Sequence, residues 1–355
     1  MNGCASCFRD GVGPTVLNTE PPALGDCSFC GVRGAMVWDV AIWRDHFARV
    51  LDMYERSQVG GLPLHQQFQH DWRVFSFTES DKILQFLLAV FDGAHDLLLS
   101  QEVVSPRFTE TGAGADQTAR WDQFREALVT TNRFFPDVAL DLDFLRSVVQ
   151  DNTRRLDKGL CMFRGRVCSG NIPLAPEELG PPPPTKALPG RGNPVGIAHL
   201  YLANSVATCL KECRAVQHGF VSVAKFEVVE SVDYLDLVEL RPENPFLVPA
   251  DAADGDSDLV RTLVSYQFLQ KLGHELSQPT RPGENQLEYV PTQYLCEFVK
   301  SIGVHGIRYG SSLESAGWNL VLFNAGDARL IEPVVVYEIT NSELEFLELP
   351  PPESL

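Results

Sequence analysis

The sequence predicts an α+β protein in three parts: a cysteine-rich segment (1–35), a helical domain (36–157) and a mixed-sheet domain (158–349). Three observations predict it. Two Cys-x2-Cys pairs lie in a Gly- and Pro-rich N-terminal stretch too short to build a core of its own. From residue 36 apolar side chains recur at steps of three and four, the helical period. From residue 158 short runs of β-branched and aromatic residues are punctuated by prolines and do not alternate strictly with helices, which favours a mixed sheet over a doubly wound one.

The elements follow in order. Val37, Val40, Trp43, Phe47, Val50, Leu51 and Tyr54 mark an amphipathic helix over 36–59. Lys82–Leu99 reads as a second helix cut near Gly93, Ala119–Thr131 as a third and Asp141–Leu156 as a fourth. Thr109–Gln117 reads as a loop. In the last part, strands are predicted at Leu200–Ala203, Val221–Val229, Tyr234–Leu237, Gly306–Tyr309, Asn319–Phe323 and Val334–Ile339. Helices are predicted at Ser205–Arg214, Leu259–Leu276 and Pro291–Ile302. Asp251–Asp258 is expected to be an acidic loop and Pro350–Leu355 a disordered tail.

Composition narrows the function classes. The apolar fraction of 44% and charged fraction of 21% are those of a globular protein. No run of about 18 apolar residues occurs, so no transmembrane helix is predicted. Met1-Asn2-Gly3-Cys4 opens without the pattern of a secretory leader, and a cytoplasmic location is expected. The net charge of −18 disfavours nucleic acid and anionic membranes as partners. Residues 156–246 nevertheless hold nine basic against ten acidic residues, so a small anion can find a locally basic pocket there.

The cysteines divide by spacing. Cys4, Cys7, Cys27 and Cys30 form two knuckles separated by 19 residues, which fits a structural four-thiolate zinc site. Four thiolates leave no open coordination position, so a catalytic zinc is not expected. Cys161, Cys168, Cys209, Cys213 and Cys296 lack ligand spacing and read as small buried hydrophobes. Small helical domains also include HEPN-type RNases, which need an Arg, then four to six residues, then a His on one helix; Arg44 with His46 is too close, and Arg56 with His65 too far.

Residues 163–212 carry the most chemistry: Phe163-Arg164-Gly165-Arg166, then Gly190-Arg191-Gly192-Asn193-Pro194, then Leu200-Tyr201-Leu202-Ala203, then Thr208 to Glu212. Gly306-Ile307-Arg308-Tyr309-Gly310-Ser311-Ser312 adds serines. Guanidinium forks suit phosphate oxygens, and glycines at 190 and 192 let backbone approach a ligand. Asn193 can lock that loop or bind a ribose hydroxyl, Tyr201 can stack on a flat ring, and the Glu212 carboxylate can stabilise a developing ribosyl cation. Ser311 or Ser312 can orient a leaving amide. These are the needs of a site that grips a nucleotide diphosphate and cleaves its glycosidic bond. Neither a strand-borne Gly-x-Gly-x-x-Gly nor a P-loop motif is present.

Residues of about 158–325 resemble the RES domain family. The likeness runs through the Phe-Arg-x-Arg, Gly-Arg-x-Asn-Pro-x-Gly, Leu-Tyr-Leu-Ala and Thr-x3-Glu segments, Val223-Ala224-x-Phe226 and Tyr289-x-Pro291-Thr292-Gln293. It continues through Gly306-Ile307-x-Tyr309 and Asn319-Leu320-x-Leu322-Phe323. More loosely, the helical part resembles the HEPN-like domain fused to longer members. The resemblance implies an ADP-ribosyltransferase-like fold and NAD as substrate, degraded by hydrolysis or phosphorolysis in toxins, or used to modify protein. It implies catalytic roles for Arg164, Arg191, Tyr201, Glu212 and Ser311; Arg166, Asn193, Ser312 and Asn319 are expected as further NAD-contacting residues. The partners it brings with it are an antitoxin or regulatory protein and a second copy of the chain, in a toxin–antitoxin or antiphage-defence setting.

Overall fold

The fold is given by a computed structural model that describes residues 1–10, 12–13, 21–58, 60–107, 116–248, 255–278 and 286–341. The described residues form two compact units. One comprises 1–124, 138–144 and 240–271, the other 125–137, 145–239 and 272 onward. No helix among them is long and apolar enough to cross a membrane.

In the first unit, β1 (Asn2–Cys4), β2 (Ala23–Gly25) and β3 (Ala35–Asp39) form a three-stranded antiparallel sheet with β3 central. The helix expected over 36–59 is therefore a strand, a 3₁₀ turn at Val40–Trp43, helix α1 (Arg44–Leu51) and strand β4 (Tyr54–Arg56). Pairing overrides periodicity here: Val37 sits opposite both Cys4 and Ala23, and the Asp39 side chain accepts from the Ala41 N–H where the chain turns. β5 (Leu62–Pro63), α2 (Leu64–Trp72), α3 (Ser80–Val90), α4 (Asp96–Ser100) and β6 (Val103–Pro106) follow, with β6 between β4 and β5 in a second sheet. The break expected near Gly93 lies between α3 and α4, where Asp92 and Gly93 both take positive φ. The expected helical domain thus carries two small sheets besides its helices.

The core of this unit is aromatic. Trp43, Phe47, Phe68, Trp72 and Phe86 are fully buried, and Phe47 packs on Phe246 at 4.9 Å between ring centres. Asp71 is also fully buried. It accepts from the Tyr54 hydroxyl at 2.8 Å, from Gln67 at 3.0 Å and from Gln267 at 3.2 Å, as a buried carboxylate must.

α5 (Gln117–Glu126) continues as one π-turn over Ala127–Thr131. α6 (Leu142–Asp151) is shorter than the expected Asp141–Leu156, because Thr153–Leu156 instead forms β7 along β11. The second unit is built on one eight-stranded sheet, ordered β14-β10-β8-β9-β13-β12-β11-β7. Its strands are β7, β8 (Cys161–Cys168), β9 (Leu200–Ala203), β10 (Phe220–Val228), β11 (Val232–Asp236), β12 (Gly306–Gly310), β13 (Trp318–Leu322) and β14 (Ala328–Glu338). Only the β11–β12 pair is parallel, so the sheet is mixed, as predicted. Helix α7 (Val206–Glu212) follows β9, α8 spans Gly255–Ser277 and α9 spans Val290–Ser301. Most of the expected loop over Thr109–Gln117, the first part of the expected acidic loop over Asp251–Asp258, and the tail lie outside the described residues; α8 takes in Gly255–Asp258.

Strand alternation explains the sheet. Met162, Leu200, Leu202, Ala224, Phe226, Leu320 and Leu322 bury one face. Ala203, Val221 and Val223 cover part of the other, against Cys209 and Cys213 of the α7 segment. Gly165 on β8 makes that approach possible, since a Cβ there would stand 2.7 Å from the Cys213 sulfur. Strands β8 and β9 pair only at Phe163 and Ala203 and then diverge.

Candidate functional site

The site grows from the β9–α7 corner and the end of β12. Ser205 caps α7 by accepting from the Thr208 N–H at 3.1 Å. Thr208 donates to Asn204 Oδ1, which also accepts from the Trp318 N–H, so the helix start is fastened to β13. One helix length on, Glu212 reaches back over the sheet. Its Oε1 accepts from the Ser311 hydroxyl at 2.7 Å and from Asn319 Nδ2 at 2.8 Å. Among the described residues its Oε2 has no partner.

Ser311 is held as firmly as it holds. Its N–H donates to Gly317 O at 2.9 Å, and its hydroxyl accepts from the Leu313 N–H at 3.2 Å. Asn319, 7% exposed, sits on β13 opposite Tyr309 of β12 and Ala203 of β9. Behind them Arg308 pairs with Asp236 at 3.2 Å and Glu239 at 2.7 Å and lies 4.5 Å over the Trp318 ring. Gly306 has no room for a side chain, because a Cβ would lie 2.5 Å from Val321 O.

The other wall is the loop at 187–197. Gly190 and Asn193 form a backbone bridge. Asn193 Nδ2 donates to the carbonyls of Leu188, Pro194 and Ile197 at 2.8–3.1 Å. Gln293 of α9 donates to the Gly190 and Asn193 carbonyls. The Tyr201 hydroxyl donates to Asn193 Oδ1 at 2.7 Å and accepts from the Gly192 N–H at 3.1 Å. Glycine at 190 and 192 leaves that hydroxyl room, since a Cβ at either would lie 3.0–3.2 Å from it. Arg191 projects from the same loop and donates to Leu276 O at 2.8 Å.

These residues enclose a cavity of about 430 Å³ lined by Arg191, Asn193, Tyr201, Glu212, Arg214, Ser277, Tyr309 and Ser312. Ser311 and Asn319 join it through Glu212. Arg164 and Arg166 line a neighbouring cavity of about 290 Å³ with Lys186 and His199, and Asn193 and Tyr201 form the wall common to both. Arg164 donates to Tyr201 O at 3.1 Å where β8 and β9 diverge, and Arg166 to Gly180 O at 3.0 Å. The structure therefore brings Arg191, Asn193, Tyr201, Glu212, Ser311, Ser312 and Asn319 together and sets the Arg164–Arg166 pair beyond Tyr201.

Burial, and then the charge of Arg166, brings the Arg164 guanidinium down to about 10, and burial also lowers Arg191. Burial pushes the Tyr201 and Tyr309 hydroxyls up, so both are neutral hydrogen-bonding groups. Burial lowers His199, whose Nδ1 contacts Gly192 O at 2.8 Å. Sequence reasoning did not single out Arg214, Ser277, His199 or Lys186. Arg214, two residues after Glu212, takes a φ of 48° just past the helix, a geometry no spacing rule exposes.

At the N-terminus Cys4, Cys7, Cys27 and Cys30 converge, their sulfurs all within 4.8 Å of one another, with Cys4–Cys30 and Cys7–Cys27 at 3.3 Å. Four sulfurs each about 2.3 Å from a tetrahedral ion are roughly 3.8 Å apart, so the set fits a metal. Burial acts to raise the Cys27 thiol, but backbone N–H groups of Cys30 and Phe29 together with the Cys7 and Cys30 thiols outweigh it and bring Cys27 down to about 7; burial holds Cys4 up to about 11.

Residues 173–342 match the family model of the RES domain, and this stretch is a RES domain. A chain of the M. tuberculosis MbcT–MbcA toxin–antitoxin complex is similar at 12% identity over 56% of this chain and 93% of that one, with a TM-score of 0.29; the likeness is too distant to compare sites. No curated protein matches the chain.

Tyr201→Phe should leave the Gly192 N–H and Asn193 Oδ1 without their shared partner and lower stability by about 1–3 kcal/mol. Thermal or denaturant unfolding checks this, and an unchanged midpoint would show that the loop does not hang on that hydroxyl.

Proposed function

We propose that the chain is an NAD-consuming enzyme that breaks the bond between nicotinamide N1 and ribose C1″. The observation that carries the reading is the Glu212 carboxylate, fixed through one oxygen by Ser311 and Asn319 and free at the other, on the wall of a cavity that also holds Arg191 and Arg214. The likeness to RES-domain toxins that degrade NAD supports the same substrate. At about 430 Å³ the cavity is in the usual range for an organic ligand.

In this mechanism Arg191 and Arg214 draw in the pyrophosphate by charge and forked hydrogen bonds. Arg164, Arg166 and Lys186 continue the positive lining beyond Tyr201. The C1″–N1 electron pair leaves with neutral nicotinamide, and positive charge develops on the ribosyl C1″ and ring oxygen. Glu212 stabilises that charge through Oε2 without reorganising, because the two contacts that fix the carboxylate are already made on Oε1. Ser312 or Ser311 orients the leaving amide. Water then adds to give ADP-ribose and a proton, or phosphate adds to give the 1″-phosphate. Tyr201 supports the loop that carries Arg191, beside any contact with the nicotinamide. In the cell such a chain acts in the cytoplasm as a toxin or antiphage effector, restrained by an antitoxin, by self-association or by its N-terminal unit. The cysteine cluster holds a structural zinc that closes the 1–35 segment.

Two outcomes are expected. An NMR time course of NAD with purified chain should show nicotinamide release that Glu212→Gln slows about 100-fold or more, and the companion product with and without phosphate identifies the nucleophile. A Glu212→Gln chain as fast as wild type would remove the assignment, and label from NAD appearing on protein would redirect it to transfer. Metal analysis should find zinc bound by the cluster, lost in Cys7→Ser together with thermal stability; a metal-free wild-type chain purified without chelator would refute the zinc.

A further inference from the structure

The first unit holds its own cavity, of about 610 Å³, which the NAD reading does not use. Its cationic side comes from Arg9 and Arg73, and its apolar floor from Phe8 and Phe75. Among the described residues neither arginine forms an ion pair, although both stand near like charge. The Arg9 guanidinium feels Arg241 and Arg73 together. One end of it donates to Pro242 O at 3.1 Å, and its Nε is buried without a partner. Cations set close together with no carboxylate paired to them repel, and a bound anion offsets that repulsion.

The backbone holds this arrangement in place. Arg73 ends α2 at a φ of 47°, a left-handed conformation that costs energy for any residue but glycine and is kept where surrounding structure imposes it. The Arg9 N–H donates to Val74 O at 2.9 Å, the Ser76 N–H to Cys7 O at 3.0 Å, and the Ser76 hydroxyl to Ser6 O. The two arginines are thus carried by segments clamped to the cysteine knuckle. His70 adds to the rim: its Nδ1 contacts the buried Asp71 carboxylate at 3.0 Å, which favours the protonated ring. Asp10 is the acidic residue of the lining, and it is exposed and unpaired with either arginine.

We infer that this cavity is a second ligand site, which binds a small organic phosphate, a nucleotide, with the phosphate on Arg9 and Arg73 and the flat base toward Phe8 and Phe75. The volume admits a mononucleotide. Inorganic phosphate would fill only the cationic side of the cavity. Because the arginine segment continues directly from Cys7, occupancy of the site is tied to an intact cysteine cluster, which makes it a place where nucleotide level can act on the N-terminal unit.

The test is calorimetric titration of ADP into the full chain, into Arg191→Ala, and into Arg191→Ala combined with Arg73→Asn. Asparagine suits the left-handed backbone and removes only the charge, and Arg73 is exposed, so the fold should stand; circular dichroism checks it. ADP should still bind the Arg191→Ala chain and should bind about tenfold or more weakly once Arg73 is also changed. Arg9→Gln is the second variant and should weaken it likewise. No ADP binding to folded Arg191→Ala, or binding there that neither Arg73→Asn nor Arg9→Gln alters, overturns the inference. The NAD reading is untouched by either result, since nicotinamide release is measured separately at Glu212.

Discussion

A single carboxylate oxygen ties together helix α7, the loop after β12 and strand β13. Glu212 Oε1 receives a hydroxyl from the loop after β12 and an amide from the middle of β13, while its own helix is capped and fastened to β13 by Asn204 and Thr208. Two charge-assisted hydrogen bonds on one oxygen fix the carboxylate plane and leave the other oxygen for a ligand. The packing beneath serves this geometry. Gly306 lets β12 close on β13, the Arg308 ion pairs lock β12 to β11, and Gly165 lets the cysteines of the α7 segment press onto β8.

The opposite wall depends on Tyr201. Its hydroxyl fills both hydrogen-bonding roles inside the Gly190–Asn193 turn, and glycines at 190 and 192 are the residues that leave it space. Asn193 closes three backbone carbonyls from inside the loop, and Gln293 closes two from outside. Arg191 is thereby presented from a loop with little freedom left, which preorganises it.

Much of the second unit was legible in the sequence because its signals are local. Leu200–Ala203 forms a strand over the predicted residues, and α7, α9, β10 and β13 fall within one or two residues of expectation. The ordered arginine, tyrosine, glutamate and serine motifs led to one cavity and its neighbour. The division between them was not legible, since it arises where β8 and β9 stop pairing after Phe163. Arg214 escaped for a similar reason: its place depends on a left-handed turn after α7. In the first unit the apolar period at 36–59 suggested one helix, whereas Val37 is buried by strands on both sides. The cysteine spacing, by contrast, carried straight through to four converging sulfurs, because two knuckles need only a short connection to meet.

The central claim is that the Glu212 cavity is where the nicotinamide–ribose bond is broken. The most direct measurement is a crystal structure of the Glu212→Gln chain with NAD bound. Ribose C1″ of the nicotinamide riboside should lie about 3–4 Å from the side chain of residue 212, with the pyrophosphate against Arg191. NAD bound with that carbon remote from residue 212, or bound only in another cavity of the chain, would contradict the claim.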